Sequence, residues 1–311
     1  MFDSLTTALA QAERDGISLG ELALRVEAAE GRRTRAEVET ALGRALQVMK
    51  DAVARGLVGD LRSVSGLVGG DAAKVHAAQV HAAQARWSRD DQAGATSPLA
   101  GTLFGEAIAG AIAVQEVNAA MGVIVAAPTA GGAGVLPGVL LAVGRRCNAD
   151  DATLVRGLAT AGLVGAVVAQ RASLSGAEAG CQAETGVGAA MAAAAAVEVL
   201  GGTPRQAVFA MALAMQGTLG LVCDPLGGLV EVPCVFRNAT GAAIALAGVE
   251  MALAGVEFPI PADEVVDTMG EIGRTMDVRY RETAGGGLAA SPTGRRLARQ
   301  RLVQIKSLRE D

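Results

Sequence analysis

Three of the four cysteines lie where helical patterns break, in the apolar part of the chain. The segments are SGAEAGCQAETG around Cys181, GLVCDPLGG around Cys223 and EVPCVFRN around Cys234. The glycine and proline residues in these segments predict loop junctions, where free backbone N–H groups can stabilise a thiolate. None of the three forms the CxxC pair that is typical of zinc fingers and thioredoxin-like sites. The contexts therefore indicate thiolate ligands, although the spacing alone does not.

Three thiolates that share one site could hold either of two metal centres. A cuboidal iron–sulfur cluster with three cysteine ligands keeps one iron open, and that iron can act as a Lewis acid. Zinc bound by three cysteines is the alternative. On spacing alone, three ordinary buried cysteines are the stronger interpretation, because free cysteine packs as a small apolar side chain. The fourth, Cys147 in GRRCNADD, is expected to be a bystander.

A glycine-rich loop, PTAGGAG at 128–134, is a candidate substrate-binding segment. Backbone N–H groups at its glycines can cradle a carboxylate, which makes Thr129, Gly131 and Gly132 candidate substrate-binding residues. A tight connection between two helices is the alternative. The segment SGLVGGD at 65–71 has a similar glycine content, but it lacks the Gly-Lys-Ser/Thr ending of a phosphate-binding P-loop.

Helical spacing of apolar residues dominates the chain, and period-two alternation is nearly absent. We therefore expect an all-α fold in which Ala- and Gly-rich buried helices surround the cysteine site. Ser18, Thr34 and the pair Thr203-Pro204 are predicted helix starts. Helices are predicted over 4–15, 19–29, 34–55, 71–87, 99–119, 136–146, 151–171, 185–200, 204–220, 236–254 and 262–276.

The distribution of charge suggests two parts. Residues 1–60 form a charged helical segment that is expected to pack on the outside of the core. Residues 61–311 are expected to form a helical domain around the cysteine site, the candidate catalytic domain, with a polar loop at 90–97 and a flexible Gly-rich tail. In that tail, Gly285, Gly286 and Gly287 form a possible hinge.

Composition excludes several classes of function. The net charge of −5 and an aromatic content of 2% argue against a nucleic-acid partner, which needs basic and stacking surfaces. The uncharged stretch 121–144 contains Pro128 and Pro137, so buried helices explain it better than a membrane span does. The N-terminus has acidic residues early and no basic region before an apolar core, unlike a secretory signal. The expected compartment is the cytoplasm, where cysteines stay reduced.

Five segments, read together, resemble one family. The similarity is to the alpha chain of bacterial iron–sulfur-dependent L-serine dehydratase (L-serine ammonia-lyase), and it extends over essentially the whole chain. The segments are SVSGLVGGDAAK (63–74), NAAMGVIVAAPTAGGAGVLPG (118–138), ASLSGAEAGCQAETG (172–186), GLVCDPLGGLVEVPCVFRN (220–238) and RETAGGGLAASPTGRR (281–296).

The resemblance implies a cofactor, a reaction and a partner. Cys181, Cys223 and Cys234 would hold a 4Fe-4S cluster with one iron not ligated by cysteine. The reaction would be that of a lyase, the deamination of L-serine to pyruvate and ammonia, and Ser65 would belong to a substrate loop. A separate beta chain would complete a hetero-oligomer. The alternatives are the same chemistry on L-threonine or L-cysteine, or a non-catalytic helical metal-binding scaffold.

Elimination of water from serine needs a base for the α-proton. Glu178 and Glu184 flank Cys181 and are the candidate catalytic carboxylates, although helix capping and support of the cluster are alternatives. Ser173 and Ser175 are candidates for hydrogen bonds to the substrate, or else plain turn residues. The partner chain is a further possible source of the base.

Serine is also deaminated through pyridoxal phosphate, which forms a Schiff base with a pocket lysine. The chain has three lysines, and only Lys74 lies outside the charged surface helix and the tail. A βαβ pattern is also missing from the sequence. We therefore expect no pyridoxal phosphate.

Overall fold

The computed structural model describes residues 2–84 and 101–307. These two ranges are helical, and the β-pairing within them is one isolated bridge between Cys223 and Arg281, so the predicted all-α class is confirmed. The predicted loop at 90–97 and the last residues of the tail lie outside the described residues. The helices are α1 (Leu5–Asp15), α2 (Leu19–Glu30), α3 (Arg35–Gly56), α4 (Asp71–Gln84), α5 (Gly101–Ala119), α6 (Val135–Cys147), α7 (Asp151–Arg171), α8 (Gly176–Ala179), α9 (Val187–Val199), α10 (Pro204–Gln216), α11 (Cys234–Leu253), α12 (Ala262–Thr275) and α13 (Pro292–Ser307).

The predicted helix starts are confirmed. The side-chain oxygens of Ser18, Thr34 and Thr203 each accept a hydrogen bond from the backbone three residues later. Thr34 and Thr203 form complete capping boxes, and Pro204 occupies the first turn of α10. Such caps satisfy backbone donors that have no partner inside the helix. The sequence missed α8 and the π-helical turn Gln182–Gly186 that precedes α9.

Helix α9 is the centre of the core. All but one of its residues are buried, and its run of alanines at 192–196 is fully enclosed. Helices α6, α7, α10 and α11 pack around it. Small residues bring the helix axes close together, as at Gly157, where a Cβ would lie 2.8 Å from Val199. Because α9 begins just after the Cys181 segment, the rigid core fixes one side of the cysteine site.

The N-terminal helices pack directly on this core. Helix α2 lies against α7, and α3 lies against α5. At Gly20 and Gly56 the backbones approach so closely that a Cβ would lie 2.5 Å from the carbonyl oxygen of Arg156 and 2.3 Å from that of Ala113. The charged outer side carries ion pairs such as that of Arg35 with Glu21.

Helix α7 is long and apolar enough to cross a membrane by length and composition, with a mean hydropathy of 1.7 in its most apolar window. In the folded chain 67% of that window is buried. Burial of this kind is typical of a core helix in a soluble protein, and α7 packs on α9, α2 and α3.

Asp263, in the first turn of α12, anchors the start of α1. Its carboxylate accepts hydrogen bonds from the backbone N–H groups of Leu5 (2.8 Å) and Thr6 (3.0 Å). It also accepts hydrogen bonds from the hydroxyl groups of Thr6 (2.6 Å) and Ser4 (2.9 Å). Burial alone would raise the pKa of Asp263, but these hydrogen bonds outweigh it, so the pKa lies below its ordinary value. A carboxylate at this helix N-terminus also interacts favourably with the helix dipole.

We expect Asp263→Asn to lower the free energy of unfolding by about 1–3 kcal/mol near neutral pH, since it removes charge-assisted hydrogen bonds. A depressed folded pKa stabilises the protein above the unfolded pKa of about 3.9, and this stabilisation is lost as the pH falls through the folded value. Denaturant titrations of both proteins across pH should therefore show a difference that shrinks in acid. Asp267→Asn is the control, because this half-exposed partner of Arg171 on the same helix should cost less than about 1 kcal/mol. Equal losses for the two variants would contradict the assignment.

Candidate functional site

Cys181 is held by a turn that joins α8 to the π-helical segment Gln182–Gly186. Gly180 precedes it with φ +76, a conformation that favours glycine. The Cys181 carbonyl accepts the N–H groups of Glu184, Thr185 and Gly186, and π-helical turns of this kind are frequent at functional sites. The Thr185 hydroxyl lies 3.2 Å from the Cys181 sulfur, which is buried.

Gln182 links this turn to the segment that carries Cys223. Its fully buried side chain accepts a hydrogen bond from Gly220 N–H (2.8 Å) and donates one to the carbonyl of Met269 (3.1 Å). Its backbone N–H also donates to the carbonyl of Leu221 (3.1 Å). Gln182 therefore ties the turn that holds Cys181 to the segment that carries Cys223.

Cys223 is buried and lies in an extended segment that pairs with residues 280–282. Its N–H donates to the carbonyl of Tyr280 (2.7 Å), and its carbonyl accepts from the N–H of Glu282 (2.8 Å). The tail segment after α12 is thus part of the site. Glu282 adopts φ +64, which is uncommon for a residue with a side chain.

Cys234 is the first residue of α11, and Asn238 ties it to the glycine-rich loop. The Asn238 amide donates to the carbonyls of Cys234 (2.9 Å) and Gly131 (2.7 Å). Its side-chain oxygen accepts from Gly134 N–H (2.9 Å). Asn238 is fully buried, so all three contacts are protected from water.

The three buried thiols are near enough to perturb one another. A hydrogen bond from Cys223, assisted by Thr185 and by the positive charge of Arg237, lowers the pKa of Cys181 to about 6. Donation of that bond, together with burial, raises the pKa of Cys223. Burial, with the charges of Cys181 and Glu184, raises the pKa of Cys234. A metal centre would resolve this crowding, because thiolates that are costly to bury alone become its ligands.

The three buried thiols are donors of the kind that an iron–sulfur cluster binds. In the part of the chain that the structure describes, no group of three or more His, Cys, Asp or Glu side chains is arranged to hold one metal ion. Zinc needs its ligands about 2.3 Å from one point, whereas a cuboidal cluster distributes its thiolates over separate irons. At Gly176 a Cβ would lie 3.1 Å from the Cys223 sulfur and 2.6 Å from a Glu184 oxygen, so the missing side chain leaves space beside the donors.

Glu184 is the carboxylate that faces the cysteines. The Thr129 hydroxyl donates to its Oε1 at 2.6 Å, and the Cys223 sulfur lies 3.9 Å from its Oε2. Burial, with the charges of Cys181 and Glu282, raises the pKa of Glu184 to about 7, against the opposing effect of the Thr129 hydrogen bond. At Gly131 a Cβ would lie 2.8 Å from Oε2, so the loop backbone passes close to the carboxylate.

An open cleft of about 420 Å³ brings together all four of the predicted catalytic residues. Within it the Ser173 hydroxyl donates to the carboxylate of Glu178 at 2.6 Å and accepts from the N–H of Ser175 at 3.0 Å. Glu178 is exposed, whereas Glu184 is half-buried. The cleft is lined by Thr129, Ala169, Ala172, Ser173, Leu174, Ser175, Glu178 and Glu184.

Of the predicted substrate-binding residues, Thr129 lines this cleft, whereas Ser65, Gly131 and Gly132 do not. The buried Ser65 donates from both its backbone N–H and its hydroxyl to the carboxylate of Glu231, three residues before Cys234. Gly132 lies against the backbone of Glu184, where a Cβ would approach the carbonyl oxygen to 2.6 Å. Cys147 is exposed, and its thiol bonds to the carbonyl of Gly144, which does not line the cleft.

Four residues that contact the cysteine segments were missed by sequence reasoning, namely Gln182, Arg237, Asn238 and Glu282. Arg237 forms a 2.7 Å ion pair with Asp224 and donates to the carbonyl of Val222 (2.8 Å), which places its charge near the thiols. Each of the four lies within four residues of a cysteine or in the RETAGGG segment. Proximity to the cysteines was therefore an available signal.

The sequence of the chain is similar to those of known proteins. The model of the family described as "Serine dehydratase alpha chain" matches residues 14–289. The chain belongs to this family. A probable L-serine dehydratase alpha chain of Bacillus subtilis is 47% identical over 268 residues, covering 86% of this chain and 84% of that protein. The L-serine dehydratase alpha chain of Peptoniphilus asaccharolyticus is 40% identical over 296 residues, covering 93% and 94%.

Some relatives are longer single chains. The L-serine dehydratase TdcG of Escherichia coli is 36% identical over 290 residues, which are 93% of this chain but only 61% of that protein. The family therefore includes proteins that carry additional sequence on the same polypeptide.

Proposed function

We propose that this chain is the catalytic alpha chain of an L-serine ammonia-lyase, which converts L-serine to pyruvate and ammonia. The observation that carries this proposal is the convergence of three buried cysteines and Glu184 beside an open cleft. The relatives named L-serine dehydratase support the choice of substrate.

Cys181, Cys223 and Cys234 would hold a 4Fe-4S cluster with one iron free of cysteine. When bound, this cluster supplies a Lewis acid that stabilises the departing hydroxyl oxygen of serine. Pyridoxal phosphate has no role in the proposal. Lys50 and Lys74 form ion pairs with Asp151 and Asp71, and the Lys74 side chain is 75% exposed, unlike a Schiff-base lysine.

The residues of the chain perform the remaining steps. The hydrogen bond from Thr129 fixes Oε1 of Glu184, so that Oε2 is free to accept the α-proton of serine. Ser173 and Ser175, which line the same cleft, bind the substrate, and N–H groups of the loop at 128–134 contribute to binding its carboxylate. Loss of the proton and the hydroxyl leaves aminoacrylate, which tautomerises and hydrolyses in water.

A separate beta chain would close the site, and the tail would cover the mouth of the cluster. The tail contacts support this placement, because Leu288 N–H donates to Asp224 at 2.6 Å, next to Cys223. At Gly287 a Cβ would lie 2.1 Å from the same carboxylate, and its φ of +57 also favours glycine. The enzyme would be a cytoplasmic hetero-oligomer.

The test is anaerobic reconstitution with iron and sulfide, followed by assay of pyruvate and ammonia. Alone, the chain should bind a cluster but turn over serine slowly, and the beta chain should raise the rate at least about tenfold, because a closed site excludes water. L-Threonine and L-cysteine are run in parallel to establish the preferred substrate. A colourless protein that forms no pyruvate with the beta chain present would refute the proposed function.

A further inference from the structure

Three large apolar side chains are exposed together near the end of α5. Met121 is 81% exposed, Val123 is 78% exposed and Val64 is 46% exposed. The N–H of Val64 donates to the carbonyl of Ala119 at 3.0 Å, which places the two loops side by side. We call Val64, Met121 and Val123 the apolar rim. Clustered apolar side chains exposed on a surface mark an interaction site.

The backbone holds the rim in a defined shape. The N–H groups of Ala120, Met121 and Gly122 donate to the carbonyls of the last turn of α5 at 2.8–3.0 Å. Met121 adopts φ +62, a conformation that favours glycine and strains a residue with a side chain. A large apolar side chain is therefore presented to solvent at some cost in free energy.

The rim continues toward the cleft. The segment after Val123 lines an apolar groove of about 290 Å³, to which Val125, Pro128 and Leu174 contribute. Leu174 also lines the cleft, and Thr129, which follows Pro128, holds Glu184. A protein bound on the rim would therefore lie beside the mouth of the cleft.

We propose that the apolar rim is the docking surface for the beta chain, an inference that rests on the proposed function. The match with this chain covers 84% and 94% of the alpha chains of two relatives, but only 61% of the longer relative of Escherichia coli. In this proposal, a separate beta chain takes the place of the additional sequence that the longer relative carries on the same chain. The three exposed side chains of the rim are apolar, so the matching surface of the partner is expected to be apolar as well.

The apolar character of the rim predicts how the affinity for the beta chain depends on salt. Binding that depends on apolar burial changes little with salt concentration and has a negative heat-capacity change, whereas binding steered by charge weakens as salt rises. The affinity of the two chains should therefore stay nearly constant between low and high salt. A steep loss of affinity in salt would count against the rim.

The decisive experiment measures binding of the purified beta chain to Val123→Glu by anaerobic calorimetry and sedimentation, without serine. A charge placed in an apolar interface should weaken binding at least about 30-fold. Val256→Glu is the matched control, because Val256 is 44% exposed but follows the far end of α11, about 30 Å from Cys234. Val256→Glu should bind the beta chain with the affinity of the unaltered chain.

Three outcomes would overturn the inference. Unchanged affinity of Val123→Glu excludes the rim, and so does equal weakening in Val256→Glu. Self-association of the chain alone that Val123→Glu abolishes would assign the rim to a second copy. Thermal melting checks the fold, and Met121→Glu replaces Val123→Glu if the latter is unstable. A pair that binds but forms no pyruvate refutes the proposed function alone, because the binding assay contains no substrate.

Discussion

Cys234→Ser should lose the cluster and serine turnover together. Serine is a poorer ligand for iron than a thiolate, so the reconstituted variant should show little absorbance near 400 nm and little bound iron and sulfide. Turnover should fall at least about 10³-fold, because a metal Lewis acid contributes several kcal/mol of transition-state stabilisation. Cys181→Ser and Cys223→Ser should behave in the same way, since all three thiols are buried and near enough to perturb one another.

The control for these variants is Cys147→Ser. Cys147 is exposed, and its thiol donates a long hydrogen bond to the carbonyl of Gly144, at 3.7 Å. Absorbance, iron content and turnover should therefore all stay at the level of the unaltered chain. Normal iron content in Cys234→Ser, with activity retained, would show that Cys234 is not a ligand. Melting temperatures of the metal-free proteins separate loss of the cluster from loss of the fold.

Local signals explain why the helices were predictable. Hydroxyl side chains at Ser18, Thr34 and Thr203 accept hydrogen bonds within one turn, so their effect is readable without the tertiary structure. The π-helical turn Gln182–Gly186 is different. It depends on Gln182, whose partners Gly220 and Met269 are distant in sequence. No local pattern reports such contacts, and the sequence therefore predicted a single helix from 185.

The candidate site, like the helices, could be predicted from the sequence only where the signals are local. Glycine and proline around the cysteines indicated loop junctions, and the structure has a turn before Cys181 and a helix start at Cys234. The choice between Glu178 and Glu184 was not available from sequence, since both flank Cys181. Burial separates them, because Glu178 is exposed and bonded to Ser173, whereas Glu184 contacts Thr129 and the Cys223 sulfur. The roles of both carboxylates stay predictions.

Glu184→Gln should lower kcat for serine by about 10²–10⁴, the usual contribution of a positioned general base. The amide keeps the size of the side chain and can still bond to Thr129, but it cannot accept the α-proton. The absorbance and iron content of the cluster should therefore be retained, which a merely structural role in cluster binding would not allow. Rates of pyruvate formation and of α-deuterium loss from labelled serine measure the step directly.

Comparison with other carboxylates makes this assignment testable. Glu250→Gln is a matched control, since Glu250 is exposed on the distal part of α11, and its kcat should be unchanged. Thr129→Val should lower kcat only about tenfold, because it removes one hydrogen bond that orients Oε1 while the carboxylate remains. If Glu178→Gln loses more activity than Glu184→Gln, the base is the exposed carboxylate beside Ser173. If neither variant is impaired, the proton acceptor belongs to the beta chain, and burial of Glu184 beside the thiols serves the cluster alone.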